Sequence, residues 1–401
     1  MSLTRRLLSF STIPAFSALI PFLILPVIAY AAGDASWVAI GVGQSIGGFL
    51  ALAVALGLNV QGPTLVALAP AADRAALFAR GTRARLVLVA PAIVVGSVLA
   101  WLLAPEGARL ESLLMAIAIT LGGLTSSWYL IGLGTPLPLI GFELLPRALA
   151  TAAGAALVVT GGDGLVWAYP TLLIVAIVGG IGAYVLRTVT PRDLVTGWRD
   201  SLRFARRQLS AAGTEVVSGA YTALAVSIVT LGTTTAQTGV YISGDKLWRM
   251  GQTVVGAQGN ALQGWVVEDD RAHFGHRVRR ALLLHAVLGL VGFAAFALLG
   301  PWLTGLLFED HVIDRPTAIL FGIATFCLSM STATGRHVLI AWGLPRAVFA
   351  SVVVGAVVGV PASLLLAGQL GALGGAIGLA AAEGCVLLVQ VAMILIRRRR
   401  T

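Results

Sequence analysis

Three ionisable side chains fall within five positions in the stretch Gly244-Asp245-Lys246-Leu247-Trp248-Arg249-Met250. Their types and spacing allow two kinds of chemistry. Asp245 and Arg249 stand four residues apart with the acid first, the order that favours an intrahelical ion pair. If they neutralise each other, Lys246 is left as the net positive charge, and the helix becomes a cationic wall for an anionic ligand. The same groups serve equally as a structural salt bridge holding two helices together, and the sequence leaves both readings open. At about 100° per residue, Tyr241, Asp245, Arg249, Gln252, Gly256, Gly259, Asn260 and Gln263 share one helical face, with Lys246 at its edge. Leu247, Met250, Val254, Ala257 and Leu262 point elsewhere. A polar stripe opposite an apolar face lines a wet cavity or packs on another set of helices.

The surroundings of this helix are oily. Of 401 residues, 58% are hydrophobic and only 11% charged, with a mean hydropathy of +0.92. Soluble domains carry about 25% charged residues, so the composition defines an all-α polytopic membrane protein. Segments of about 20 apolar residues predict about twelve transmembrane helices, near 10–30, 37–58, 86–104, 111–133, 142–160, 165–186, 210–232, 236–264, 281–299, 316–337, 346–366 and 371–396. The charged stretch begins about nine residues into the eighth, or about 14 Å deep at ~1.5 Å per residue. Ionisable groups at such depth cost several kcal/mol and are rarely incidental. With this layout 22 of the 27 basic residues fall on one side and only Arg109 and Arg315 on the other. That asymmetry predicts both termini in the cytoplasm. The formal net charge of +10 is therefore a topology signal and an attraction to anionic lipid, with no nucleic-acid partner implied. The stretch 190–210 reads either as an amphipathic helix on the inner surface or as a charged linker. No cleavable leader is evident, since Pro14, Pro21 and Pro26 interrupt the first apolar run.

Other polar residues in the spans are weaker candidates. Glu215, Ser218 and Thr222 share a face of the seventh span and are expected to offer the charged helix a partner. Glu143 and Arg147 read as a surface pair, and His337, beside Arg336, as an interfacial residue. Glu383 stands alone in the twelfth span as a possible protonation site. Pro14 and Pro21, one heptad apart, predict a kinked first helix and a candidate gate. The five histidines are scattered over loops and helix ends, Cys327 and Cys385 have no metal-ligand spacing, and no phosphate-binding glycine loop occurs. No catalytic constellation, metal site or cofactor is therefore expected, and the chain does not read as an enzyme.

The chain also repeats itself. Leu145-Pro146-Arg147-Ala148 returns as Leu344-Pro345-Arg346-Ala347, and Arg5-Arg6-Leu7-Leu8-Ser9 is echoed by Arg206-Arg207-Gln208-Leu209-Ser210, each offset by about half the chain. Six spans per half keep the same orientation, so the repeat is a parallel pseudo-twofold. The expected organisation is an N-terminal six-helix lobe at 1–186, a cytoplasmic amphipathic linker at 187–209 and a C-terminal six-helix lobe at 210–401. Transporters built on such repeats hold their site between the halves and work by alternating access.

Two stretches carry a family resemblance. Ser127-Trp128-Tyr129-Leu130-Ile131-Gly132-Leu133-Gly134, followed by Leu145-Pro146-Arg147, and Gly239-Val240-Tyr241-Ile242-Ser243-Gly244-Asp245-Lys246-Leu247 resemble the polysaccharide-unit (Wzx-type) flippases. That family belongs to the superfamily of multidrug and oligosaccharidyl-lipid exporters. The resemblance implies a central cationic cavity in a bacterial inner-membrane protein. Its implied substrate is a polyprenyl-diphosphate-linked oligosaccharide moved outward, with Lys246 and Arg249 meeting the anionic head group and Asp245, Tyr241, Gln252 and Asn260 beside them. It also implies glycan polymerases or glycosyltransferases as partners. The second span departs from it, holding neutral Gln44 and Ser45 where the family carries charge. The competing expectations are a cation-coupled multidrug extruder and a non-transporting scaffold for glycan synthesis.

Overall fold

A computed structural model describes residues 24–135, 137–267 and 271–399. Among the described residues there is no strand. The first unit contains α1 (Leu25–Ala31), α2 (Asp34–Ala55), α3 (Leu58–Leu68), α4 (Arg74–Leu103), α5 (Arg109–Leu121), α6 (Ser127–Leu133), α7 (Leu145–Gly161), α8 (Ala168–Thr188), α9 (Pro191–Val195) and α10 (Trp198–Ala223). α11 (Ala225–Gly232) leads out of it. The second unit contains α12 (Thr235–Val267), α13 (Arg271–Phe308), α14 (Arg315–Ala333), α15 (Pro345–Leu370) and α16 (Ala372–Arg398). Nine helical stretches among the described residues are long and apolar enough to cross a membrane, and they match the second to sixth and ninth to twelfth expected spans. The seventh and eighth spans form as α10–α11 and α12, which carry more polar residues. The chain is an all-α multi-pass membrane protein. The first span lies almost wholly outside the described residues, and Pro14 and Pro21 with it; its end is α1.

The helices run further than hydropathy indicates. Arg74, Arg80, Arg83 and Arg85, expected in a loop, all lie on α4. The linker at 187–209 is likewise mostly helical, comprising α9 and the start of α10. The two compact units divide between Ser227 and Ile228, later than the expected linker, because α10 packs on α2 and α4.

Within the first unit, α2 and α5 approach closely through small residues. A side chain at Gly43 would meet the Ser112 carbonyl at 2.4 Å, and one at Gly47 the Ala116 carbonyl at 2.7 Å. Close backbone contact of this kind substitutes for the hydrophobic drive that lipid removes. Neutral Ser45 has a structural task here. Its hydroxyl donates to the Ala223 carbonyl at 2.7 Å, at the end of α10, and accepts from the Ser227 hydroxyl at 2.9 Å. The helix break at Leu224 is thereby satisfied without water.

A second break lies between α5 and α6. Here Arg85, 1% exposed, donates to the Thr125 carbonyl at 2.7 Å and the Gly123 carbonyl at 3.3 Å. Its guanidinium also lies over the Trp128 ring. Glu143 satisfies the other side of the break, accepting from the Ser126 N–H at 2.7 Å and from the Thr125 hydroxyl. A cation thus meets the orphan carbonyls and a carboxylate the orphan N–H groups, as helix ends demand. Glu143 is 5% exposed and lies 3.7 Å from Arg147. The expected surface pair is a buried one, because Glu143 points into the helix break.

The strap between α8 and α10 is tied down by Arg83. Its Nε donates to Ser201 Oγ at 2.8 Å and its Nη1 to the Asp193 carbonyl. α9 opens with a capping box in which Thr190 and Asp193 bond each other reciprocally. Hydrogen bonds from the Thr190 hydroxyl and backbone N–H hold the Asp193 carboxyl below its ordinary range. Arg83→Ala removes the anchor at a cost of about 1–3 kcal/mol. We expect faster tryptic cleavage at Arg192 and Arg199, read by limited proteolysis in detergent; an unchanged cleavage rate would show that the strap holds without Arg83.

Candidate functional site

The charged stretch lies inside α12, in the second unit. Asp245 is 0% exposed and Lys246 5%, while Tyr241 and Trp248 are fully buried. Arg249 Nε donates to Asp245 Oδ2 at 2.7 Å, so the expected ion pair forms. The other carboxylate oxygen, Asp245 Oδ1, is buried without a hydrogen-bond partner among the described residues, as are Tyr241 Oη and Trp248 Nε1. Lys246 lies within electrostatic range of both Asp245 and Arg249. One carboxylate and two cations therefore share about one and a half helical turns from which water is largely excluded. Such groups are strongly biased toward any ion that reaches them, since charges interact far more strongly away from bulk water.

Around the cluster, α12 packs on α14 and the segment after it through glycines. A side chain at Gly244 would fall 2.2 Å from the Phe321 ring, and Gly251 and Gly259 face Thr325, Thr332 and Arg336. Asn260 Oδ1 accepts from Arg336 Nη1. Gln252 is half-buried, while Val254, on the apolar face, is exposed. Towards the end of α12 the order reverses: Asn260 and Gln263 of the stripe are exposed and Leu262, off it, is buried. Phe321 is itself held by Tyr241 and Phe296, so it has little room to yield. Gly244→Ala is expected to cost about 1–3 kcal/mol by overpacking. The check is a lower melting temperature in detergent; an unchanged one would mean the ring moves freely.

The remaining candidates are dispersed. Glu215 sits on α10 in the first unit, half-buried and hydrogen-bonded to Asn59. Thr222 bonds its own helix at the Gly219 carbonyl, and the Ser218 side chain lies outside the described ones. Glu383 on α16 is 1% exposed and within electrostatic range of Cys327 on α14. His337, expected at an interface, is 0% exposed. It is inward because the end of the tenth span winds as a π-helix, Thr334–Ile340, which turns it toward α13. Its partner there, His285, carried no sequence pattern of its own.

No protein-family model and no curated protein sequence matches the chain. Solved structures do. The lipid II flippase MurJ, in an inward closed conformation, superposes with a TM-score of 0.74 at 12% identity, covering 96% of this chain and 87% of that one. An inward-facing multidrug resistance MATE transporter of the MOP superfamily gives 0.62 at 16% identity over 95% and 94% of the two chains. A MOP superfamily transporter from Pyrococcus furiosus, described by the reverse polarity of its binding pocket, gives 0.53 at 15% over 96% and 94%. The chain therefore has the fold shared by these flippases and multidrug transporters.

Proposed function

We propose that the protein is a flippase. It moves polyprenyl-diphosphate-linked oligosaccharide units from the inner to the outer leaflet of a bacterial cytoplasmic membrane by alternating access, with both termini cytoplasmic. The observation that carries this reading is the cluster of α12, where the buried Lys246 and the partly exposed Arg249 stand beside the buried Asp245. A diphosphate accepts from both Lys and Arg, and charge-assisted hydrogen bonds of this kind are about twice as strong as neutral ones. Tyr241, Trp248, Gln252 and Asn260 add neutral donors for the head group and the first sugar. A lipid II flippase among the neighbours of this fold supports a lipid-linked cargo. Pocket polarity is a natural discriminator within the fold, since for one neighbour the reverse polarity of its binding pocket suggests a different function.

The two units serve as the lobes of the parallel repeat. Each carries a π-helical segment just ahead of its Leu-Pro-Arg, at Ile140–Leu144 and Thr334–Ile340. Glycosyltransferases and a glycan polymerase are the expected functional partners. A multidrug extruder is the second reading, favoured by the MATE neighbours; it requires an acidic site, and Glu383 is one buried acid for it. A deletion strain lacking redundant flippases should accumulate lipid-linked units on the inner leaflet and lose surface glycan. Normal surface glycan in that strain, or sensitivity to cationic dyes instead, would sink the flippase reading.

A further inference from the structure

Two imidazoles meet in the interior of the second unit. His285 on α13 and His337 on the π segment are each 0% exposed, and their Nε2 atoms lie 3.4 Å apart. The surrounding hydrogen bonds assign their tautomers. The Ser329 hydroxyl donates to the His285 carbonyl at 2.7 Å. Its oxygen is then the acceptor for His285 Nδ1–H at 3.2 Å. In the neutral state His285 Nε2 is an acceptor, and His337 Nε2–H donates to it. His337 Nδ1 is left as a lone-pair nitrogen, buried and without a hydrogen-bond partner. It is the open position for one more proton.

The pair sits at a junction. Thr334 donates to Gln390 Oε1 on α16 at 2.5 Å, and Gln390 donates onward to Ser351 on α15 at 3.1 Å. Arg336 reaches Asn260 on α12. The π segment thus links four helices through polar side chains, and π turns are frequent at functional sites. Arg336 is the cation within electrostatic range of both imidazoles. On α13, Arg279 and Arg280 lie nearer the helix start and are exposed, and Arg277 bonds the Trp265 carbonyl. On α14, Cys327 is turned to Glu383 of α16, and Arg397 of α16 lies over Trp342. Asn260 and Ser351 bring no charge.

We propose that the His285–His337 pair is a proton-binding site that biases the π segment. It rests on the transporter reading only for its coupling role. A proton taken up at His337 Nδ1 places a second positive charge beside Arg336. Like charges repel strongly in this interior, so Arg336 is driven along its hydrogen bond toward Asn260, and the shift reaches the polar stripe of α12.

Histidine-selective ¹⁵N NMR of the full chain in detergent, from about pH 8 to about pH 3, reads the site without any transport, since burial and Arg336 oppose protonation. One shared titration step is expected for the two imidazoles, with His337 Nδ1 changing to a protonated shift, and it should vanish in both His285→Gln and His337→Gln. If the wild-type imidazoles keep their neutral tautomers throughout that range, the proposal is overturned. In proteoliposomes an imposed pH gradient should change wild-type flux about tenfold, and His337→Gln should abolish that response. A gradient response identical in wild type and variant would also overturn it. Titration of the pair in a protein that moves no substrate would support the proton site and remove the transporter reading instead.

Discussion

Asp245→Leu should destabilise the protein by about 3–5 kcal/mol, the usual consequence of removing one partner from a buried ion pair. The carboxylate is fully buried and holds Arg249 Nε at 2.7 Å. Without it, Arg249 Nε loses its carboxylate acceptor beside the buried Lys246. The companion change separates this effect from simple packing. In Asp245→Leu with Arg249→Met both charges go, and most of the lost stability should return, because neither desolvation term remains. A double-mutant cycle on melting in detergent measures the coupling. Additive losses would show that the pair contributes nothing beyond its packing.

Lys246→Gln should leave the fold standing and slow transport by about one to two orders of magnitude. Glutamine keeps most of the stem and a donor, so the packing of α12 is little disturbed. What it removes is the buried ammonium beside Asp245 and Arg249. A hydrogen bond to a charged group is worth about 1.5–3 kcal/mol, or about 10- to 150-fold in rate when it acts in the transition state. Lys246→Arg should retain measurable flux. A Lys246→Gln variant with wild-type flux and wild-type melting would assign the charge a purely structural place.

The elements were legible because hydrophobic length and helix period are local. Both directed the reading of α12, where the i,i+4 spacing of Asp245 and Arg249 became the observed ion pair and Asn260 stayed on the same face. What could not be read was where each helix begins and which buried groups meet. α4 continues for three turns before its apolar stretch because Arg83 and Arg85 find carbonyl partners on other elements. Hydropathy counts such arginines as solvated. Glu143 looked like half of a surface pair, since nothing local reveals that a helix break at 122–126 offers it N–H donors. His285 and His337 are 52 positions apart, and their meeting depends on a π segment that no periodicity of 3.6 signals. Glu215 shared a helical face with Ser218 and Thr222, yet its partner is Asn59, on another helix of the same unit.

The central claim is that the cations of α12 serve an anionic, lipid-linked cargo. Its most direct test is flipping of a fluorescent polyprenyl-diphosphate oligosaccharide in proteoliposomes under an imposed membrane potential. A potential of about 100 mV, negative inside, favours outward movement of each negative charge by about 2.3 kcal/mol. The wild-type protein should move the labelled lipid outward, faster as the potential grows, and Lys246→Gln should do so about one to two orders of magnitude more slowly. Equal movement by the two proteins, or extrusion of a cationic dye with the oligosaccharide lipid left in place, would contradict the account.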